Sequence, residues 1–549
     1  MKRFYSLYAS GFVLVQSLFS GLLPAQTSFA RADSLRGTLS PLRSCYDVKE
    51  YELELTVLYP EKSIEGSNRI VFSVLDTMSE MQIDLFENMQ ISSIYLEDWK
   101  AEFRREGNAV FVMLPRILLP DEFGSLDVNY KGIPIAAKQP PWDGGFVWRT
   151  DPGRSPWIGV ACEGIGASLW WPLKDHLSDE PDSMSIAIRL PLGPLNKLMA
   201  VANGQLRSEK YDEDSNHVFR WAVTYPINSY NVTLNIGDYV QIHDEFVNSG
   251  GKLDLDYYVL RNNEAAARKH FQQVSPMIEC FEEYFGEYPF RRDGYALVET
   301  DYWGMEHQGA IAYGNKYSNN NWGFDYIVIH ESGHEWWGNH VSTDDHAELW
   351  IHESFCTYSE SIYMECLYGK EKALDYLKSQ KWGIQNKKPI VGPRDVNFEN
   401  WGDSDMYYKG AWFLHTLRNV IRNDSLWFAV LKKMQSEFGM KTTTTAEVIS
   451  FFHRETKMDL SKIFRQYLYH PEPPKLEYSL AKKGKQITMK YRWKTDVDGF
   501  EMNVGIVTSN KGAKVMLDAT NEWQTVTFPG VEEEVRVDTD YFYVSGIQD

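Results

Sequence analysis

The clearest chemistry in the chain lies in His330-Glu331-Ser332-Gly333-His334. On a helix of 3.6 residues per turn, positions i and i+4 share a face, so His330 and His334 can hold one metal ion between them. Glu331 projects beside the pair, where it can take a proton from a water that the metal activates. A catalytic zinc takes a third protein ligand and keeps one open position. Three residues compete for that third place. His340 follows His334 by six residues, the metzincin separation, but metzincins place Gly three residues after the second His and here that position is Trp337. Cys356 would lean toward a sealed structural site. Glu353 follows His334 by nineteen residues, within Leu349-Trp350-Ile351-His352-Glu353-Ser354-Phe355. An antiparallel helix would lay it against the histidine face, giving a thermolysin-like set of two His and one Glu.

Such a set needs rigid supports. Residues 324–337 read as a helix, with Gly338 as its stop, and residues 346–367 as a second, launched by Asp344-Asp345. Helical periodicity recurs at 264–285, 371–382, 405–422, 425–438 and 445–469, with a strand-like run at 295–299. Upstream the period is two. Tyr51-Glu52-Leu53-Glu54-Leu55-Thr56-Val57 alternates polar and apolar, and 67–74, 109–114, 185–190 and 230–236 do likewise. His470-Pro471-Glu472-Pro473-Pro474 cannot continue a helix and marks a linker, after which short alternating runs return. The expected fold is multidomain α+β: an N-terminal antiparallel β domain over 46–260, a thermolysin-like, mostly α domain over 261–470, and a small β sandwich over 475–549.

Composition narrows the function. The 549 residues carry 56 Lys+Arg against 76 Asp+Glu, a formal charge of −20. Phosphate neutralisation needs cationic side chains, so nucleic acid is excluded as a partner and anionic lipid disfavoured. Met1-Lys2-Arg3, an apolar run from Ala9 to Leu23 and the small residues Ser28 and Ala30 read as a signal peptide over residues 1–30. No other stretch is long and apolar enough to span a bilayer. The expectation is an exported protein, periplasmic or extracellular, with no stable membrane span after signal removal. Cys45, Cys162, Cys280, Cys356 and Cys366 form an odd, irregular set, neither a disulfide framework nor a zinc ribbon; it accommodates one bridge without requiring it. The 18 Trp read as bulky core and cleft walls, since nothing pairs the rings with carboxylates at a sugar site.

The chain resembles the gluzincin aminopeptidases, the family of aminopeptidase N and the leukotriene hydrolases, as a bacterial-like exported member. The resemblance rests on the His-Glu-x-x-His pattern with eighteen residues before Glu353, and on Glu335-Trp336-Trp337-Gly338-Asn339, which looks like the family's Gln-Trp-Phe-Gly-Asn. It implies one Zn2+ ion held by His330, His334 and Glu353. Trp303-Gly304-Met305-Glu306-His307 resembles the family's Gly-x-Met-Glu-Asn, with Trp303 and His307 as departures. The resemblance implies that Gly304, Met305 and Glu306 bind substrate, with Glu306 gripping its ammonium. Ala161-Cys162-Glu163-Gly164, ahead of Trp170-Trp171-Pro172, resembles the segment that supplies a second amine contact, here Glu163. Tyr407-Tyr408-Lys409-Gly410 resembles the family's Tyr-x-Lys-Gly, which makes Tyr407 the donor to the oxyanion. His352 and Ser354 stand where the family has Asn and Gly.

The implied activity is hydrolysis of the N-terminal residue from peptides with a free N-terminus, with Glu331 as the general base. A thermolysin-like endopeptidase would cleave N-acetylated peptides; Met305-Glu306 argues against it. A noncatalytic peptide-binding module on the same fold would have lost ligands or Glu331, and all are present. Epoxide hydrolysis, known on this fold, has no support among the residues. The family's large helical C-terminal domain has no counterpart here, which implies a more open cleft.

Overall fold

The computed structural model describes residues 29–398, 403–509, 513–529 and 534–548. The expected signal peptide lies outside them, apart from Phe29 and Ala30. The first layer follows from the period-two pattern. Tyr46–Leu58 buries Tyr51, Leu53, Leu55 and Val57 on one face. It pairs antiparallel with Ser63–Val74 and parallel with Ser183–Leu190 inside a ten-stranded sheet. That parallel pair departs from the expected antiparallel pattern, because the chain returns to the central strand only after a long excursion. The excursion includes Gly145–Thr150 and Pro156–Ala161, which form a four-stranded sheet with Met199–Ala202 and Leu234–Gly237. Pro156–Ala161 ends two residues before Glu163. The strand expected at 230–236 opens as a 3-10 turn, Ser229–Asn231, because the Asn228 side chain caps it by accepting from the Asn231 N–H.

A five-stranded sheet follows, in the order Tyr239–Asn248, Gly251–Leu260, Tyr295–Glu299, Ile311–Tyr313, Gly304–Met305. Its first two strands precede residue 261, so the sheet crosses the boundary expected between 260 and 261. The pairing of Leu255 with Tyr295 through Tyr258 with Val298 carries them over. Gly304–Met305 forms the edge, with Gly304 opposite Tyr313 and Met305 opposite Ala312.

Helices Val274–Phe285, Tyr326–Gly333, Trp350–Tyr368 and Asp405–Ile421 frame the site. Trp336, Trp337, Trp350 and Trp412 are fully buried, as the core reading of the tryptophans expects. The helix expected over 324–337 ends at Gly333, and Gly338 makes the turn beyond it at φ +130°. The helix expected over 445–469 is two, Thr445–Thr456 and Ser461–Tyr469, because Lys457 adopts a left-handed φ of 60°. A disulfide, Cys280–Cys366, ties Val274–Phe285 to Trp350–Tyr368. The C-terminal strands form a four-stranded and a three-stranded sheet. The fold is thus multidomain α+β. Among the described residues no helix is long and apolar enough to cross a membrane.

Two of these helices approach unusually closely. Ser354 Oγ donates to the Met406 carbonyl at 2.6 Å, and a Cβ at Gly410 would overlap Ser354 Oγ and lie 2.5 Å from its Cβ. Glycine at 410 therefore sets the spacing between the helix bearing Glu353 and the helix bearing Tyr407. Gly410→Ala should destabilise the protein by about 1–3 kcal/mol through overpacking, read as a lower unfolding temperature. An unchanged transition would show that the helices can part freely.

Candidate metal centre

Asp325 starts the helix that carries the motif. Its carboxylate accepts from the Ile327 N–H at 2.9 Å and caps the helix. It also accepts from Tyr313 and Asn315 at 2.8 Å each and lies 2.6 Å from His270 Nε2, so the helix start is fixed from several sides. His330 Nδ1 lies 2.8 Å from Glu360 Oε1, and His334 Nδ1 lies 2.8 Å from the Trp337 carbonyl. Both Nδ1 atoms face acceptors, so each donates there, and each Nε2 carries the lone pair.

Both lone pairs point at Glu353. Its Oε2 stands 3.4 Å from His330 Nε2 and 3.5 Å from His334 Nε2, is buried, and has no hydrogen-bond partner. Three acceptors facing one point repel each other unless a cation sits among them. Ligands at about 2.0–2.1 Å from a tetrahedral zinc stand about 3.4 Å apart, so the spacing and the N,N,O donor set both suit zinc. Burial opposes charge on Glu353, yet when a proton rather than a metal ion occupies the facing His334 and His330 nitrogens, their positive charge holds its carboxyl well below the usual range.

The other two contenders are occupied elsewhere. The Cys356 thiol comes within 4.8 Å of ligand atoms of both histidines but donates to the His330 carbonyl at 2.8 Å. His340 Nδ1 lies 2.6 Å from Gln435 Oε1.

Glu331 sits beside the centre with its carboxylate against the Gly304 backbone, where a Cβ on Gly304 would overlap it. Burial pushes Glu331 up to about 8, with the two histidines opposing and Glu306 and Glu353 adding. Tyr326 stacks on the His330 ring at 5.2 Å, and the Tyr407 ring lies 6.1 Å from it. Tyr408 points elsewhere, against Gly383.

Two more carboxylates close the cleft. Glu306 is buried, and its Oε1 accepts from the Tyr230 hydroxyl at 3.0 Å. Its backbone carbonyl accepts from Asn339 at 2.9 Å, which pins the edge strand to the turn after the motif. Glu163 holds a buried Oε1 with no partner. Burial raises both carboxyls, and for Glu163 the neighbouring Glu306 is the next cause. The structure thus brings together His330, His334, Glu353, Glu331, Gly304, Met305, Glu306, Glu163 and Tyr407.

Sequence reasoning missed two contributors. Glu360 lies seven residues after Glu353, two turns along the same helix face, so the spacing held a readable signal. Tyr376 donates to Glu360 Oε2, and Gln380 does so at 3.1 Å. Tyr230 reaches Glu306 from a turn that sequence reasoning takes for strand, and no spacing marks it.

Fold and site together present two histidines and one glutamate as a candidate metal centre. Residues 270–467 match the Peptidase family M1 domain. The chain is 23% identical over 354 residues to the leucyl aminopeptidase of Saccharolobus solfataricus, covering 61% of this chain and 43% of that protein. It is 22% identical over 314 residues to the aminopeptidase N of Haemophilus influenzae, covering 53% and 36%. The chain thus spans less than half the length of these curated relatives. A solved M1 zinc metallopeptidase from Deinococcus radiodurans, bound to a Tyr-Ser-Ala substrate, aligns with a TM-score of 0.65 at 20% identity, covering 78% of this chain and 95% of that one. The matched segment takes in the metal centre and its supporting helices, so an M1 peptidase domain is what these residues resemble.

Removing the Glu360 carboxylate frees the His330 ring. Glu360→Ala should weaken zinc binding about 10–100-fold, measured by competition with a chelator. Affinity equal to that of the unaltered protein would contradict the orienting role.

Proposed function

We propose that the chain is a zinc-dependent aminopeptidase that removes one residue at a time from peptides with a free N-terminus. The observation that carries this reading is the pair of carboxylates beside the metal centre, Glu306 buried and Glu163 half-buried, with one buried Glu163 oxygen lacking any partner. Two carboxyls raised by desolvation call for a cation. A peptide ammonium supplies one, whereas an internal amide would leave the pair uncompensated at about 2–5 kcal/mol. The names of the relatives, leucyl aminopeptidase and aminopeptidase N, and the peptide bound by the solved neighbour support the same substrate class.

The residues divide the work by position. Glu306 and Glu163 hold the ammonium and set the register. Gly304 and Met305 offer a sheet edge along which an extended peptide can lie. His330, His334 and Glu353 would hold a single zinc ion, whose Lewis acidity polarises a carbonyl and lowers the pKa of water. Glu331 takes the proton of the attacking water and delivers it to the departing amide nitrogen. Tyr407 donates its hydroxyl to the oxygen on which negative charge develops.

The deciding experiment is a panel of fluorogenic aminoacyl substrates and their N-acetylated forms, run with and without a chelator. Free-amine substrates should turn over, the acetylated forms should not, and chelation should stop the reaction. Cleavage of acetylated peptides would favour the endopeptidase. Glu331→Gln should lower kcat by about a hundred- to ten-thousandfold while zinc content stays at one ion per chain; undiminished turnover would overturn the proton role.

Export completes the proposal. The charge pattern of residues 1–30 and the Cys280–Cys366 bond, of a kind that persists in oxidising compartments, support a periplasmic or extracellular location. Cell fractionation should find the full chain outside the cytoplasm and a chain lacking residues 1–30 inside it. A full chain retained in the cytoplasm would refute this.

A further inference from the structure

Residues 29–44 lie ahead of every element that forms the site, yet they reach it. Helix Arg31–Gly37 buries none of its own residues, so it is not held by an apolar face. It is held by polar ties to two regions. On one side the Asn397 N–H donates to the Asp33 carbonyl at 3.1 Å, and Thr38 Oγ1 donates to the Asp395 carbonyl at 2.8 Å. On the other side Arg36 Nη1 donates to the Gly164 carbonyl at 2.5 Å, and its Nε lies 3.5 Å from Asp175 Oδ2. The fully buried Arg43 donates to the Arg36 and Thr38 carbonyls and to Asp84, which locks the segment from behind.

The Gly164 carbonyl is the next one along the chain from Glu163. The turn that presents Glu163 is closed by the Gly166 N–H on the Cys162 carbonyl at 2.8 Å and contains two glycines at positive φ, +76° at Gly164 and +97° at Gly166. Glycine has the widest backbone freedom of any residue, so this turn does not hold Glu163 in one place by its own stiffness. Arg36 and Asp175 supply the restraint. A Cβ on Gly166 would overlap both side chains, which shows how tightly the turn sits on them. Asp175 Oδ2 also accepts from Ser168 Oγ at 2.5 Å and from the Ser168 N–H at 3.3 Å, so the same carboxylate fixes both the arginine and the far end of the turn.

We propose that Arg36 is a positioning residue for substrate binding: clamped between the Gly164 carbonyl and Asp175, it holds the Glu163 turn so that the carboxylate meets the peptide ammonium. The segment ahead of the β domain is thereby a working part of the amine pocket. Arg36 touches neither substrate nor metal. The inference rests on the reading of Glu163 as an amine ligand, and the test separates the two.

Arg36→Ala, Arg36→Lys, Asp175→Asn and Glu163→Gln are compared in the full-length zinc-loaded enzyme on a free-amine fluorogenic substrate, with thermal unfolding recorded for each. Loss of one charge-assisted hydrogen bond predicts that Arg36→Ala raises KM about tenfold with kcat within about twofold. Arg36→Lys keeps the charge but not the two-sided grip, so its KM should fall between, and Asp175→Asn should resemble Arg36→Ala. In a Glu163→Gln background, Arg36→Ala should add nothing further to KM. If Glu163→Gln raises KM while Arg36→Ala changes only the unfolding temperature, the positioning role is overturned and the amine reading survives. Additive effects of Arg36→Ala and Glu163→Gln also overturn it. If Glu163→Gln leaves KM unchanged, the amine reading of Glu163 fails and the inference falls with it. Should Arg36→Ala not fold, the KM of Arg36→Lys and Asp175→Asn decides: values equal to those of the unaltered enzyme refute the role.

Discussion

Lone pairs from two imidazoles and a carboxylate converge on one point between His330, His334 and Glu353. Without a cation that convergence is repulsive, and a chain free to relax would turn one of the three away. What prevents this is the set of bonds behind each ligand. Glu360 and the Trp337 carbonyl hold the far nitrogen of each ring. Glu360 is itself fixed by Tyr376 and Gln380. Asp325 locks the start of the histidine helix to three residues from two other segments. These bonds fix the directions in which the three donor atoms face a metal ion.

The same constraint explains the crowding of acids. Glu163, Glu306, Glu331 and Glu353 influence one another's protonation, and burial is the first cause of the upward shift in Glu163, Glu306 and Glu331. Glu353 alone moves down, because its Oε2 lies directly against the Nε2 atoms of both histidines, at 3.4 and 3.5 Å. One cleft thus contains carboxylates in two states. One is held as an anion for metal. The others are kept short of counter-charge, and a ligand bearing a cation relieves them. The proposed selection for a free ammonium rests on this electrostatic shortfall.

How much of this the sequence announces depends on distance along the chain. The His330–His334 pair and Glu353 are legible because each lies on a helix whose period fixes which residues share a face. Glu360 follows the same rule at two further turns. Glu163, Glu306 and Tyr407 are separated by up to 244 positions in the chain, and no periodicity links them; only a likeness to related motifs places them together. Tyr230 and Arg36 are not legible at all, because each acts from a turn or terminal segment whose docking depends on the complete fold. Element ends fail for local reasons: Lys457 in a left-handed conformation splits one expected helix, and the turn at Asn228 displaces the start of one expected strand. The boundary at 260–261 fails for a non-local one, since strand pairing with Tyr295–Val298 is invisible to a reading that looks for changes in composition.

Close approach is the remaining requirement, and glycine meets it at each junction. Gly304 lets the edge strand lie against the Glu331 carboxylate, Gly410 lets the Tyr407 helix press on Ser354, and Gly166 lets the Glu163 turn rest on Arg36 and Asp175. Each contact joins an element bearing one functional side chain to a different element. A methyl group at any of the three would change the distance between functional groups rather than a functional group itself. The reacting atoms must be held to within a fraction of an ångström, so these three glycines carry as much of the site's specification as the motif residues do. They do so through what they leave out, and a search for catalytic side chains passes over them.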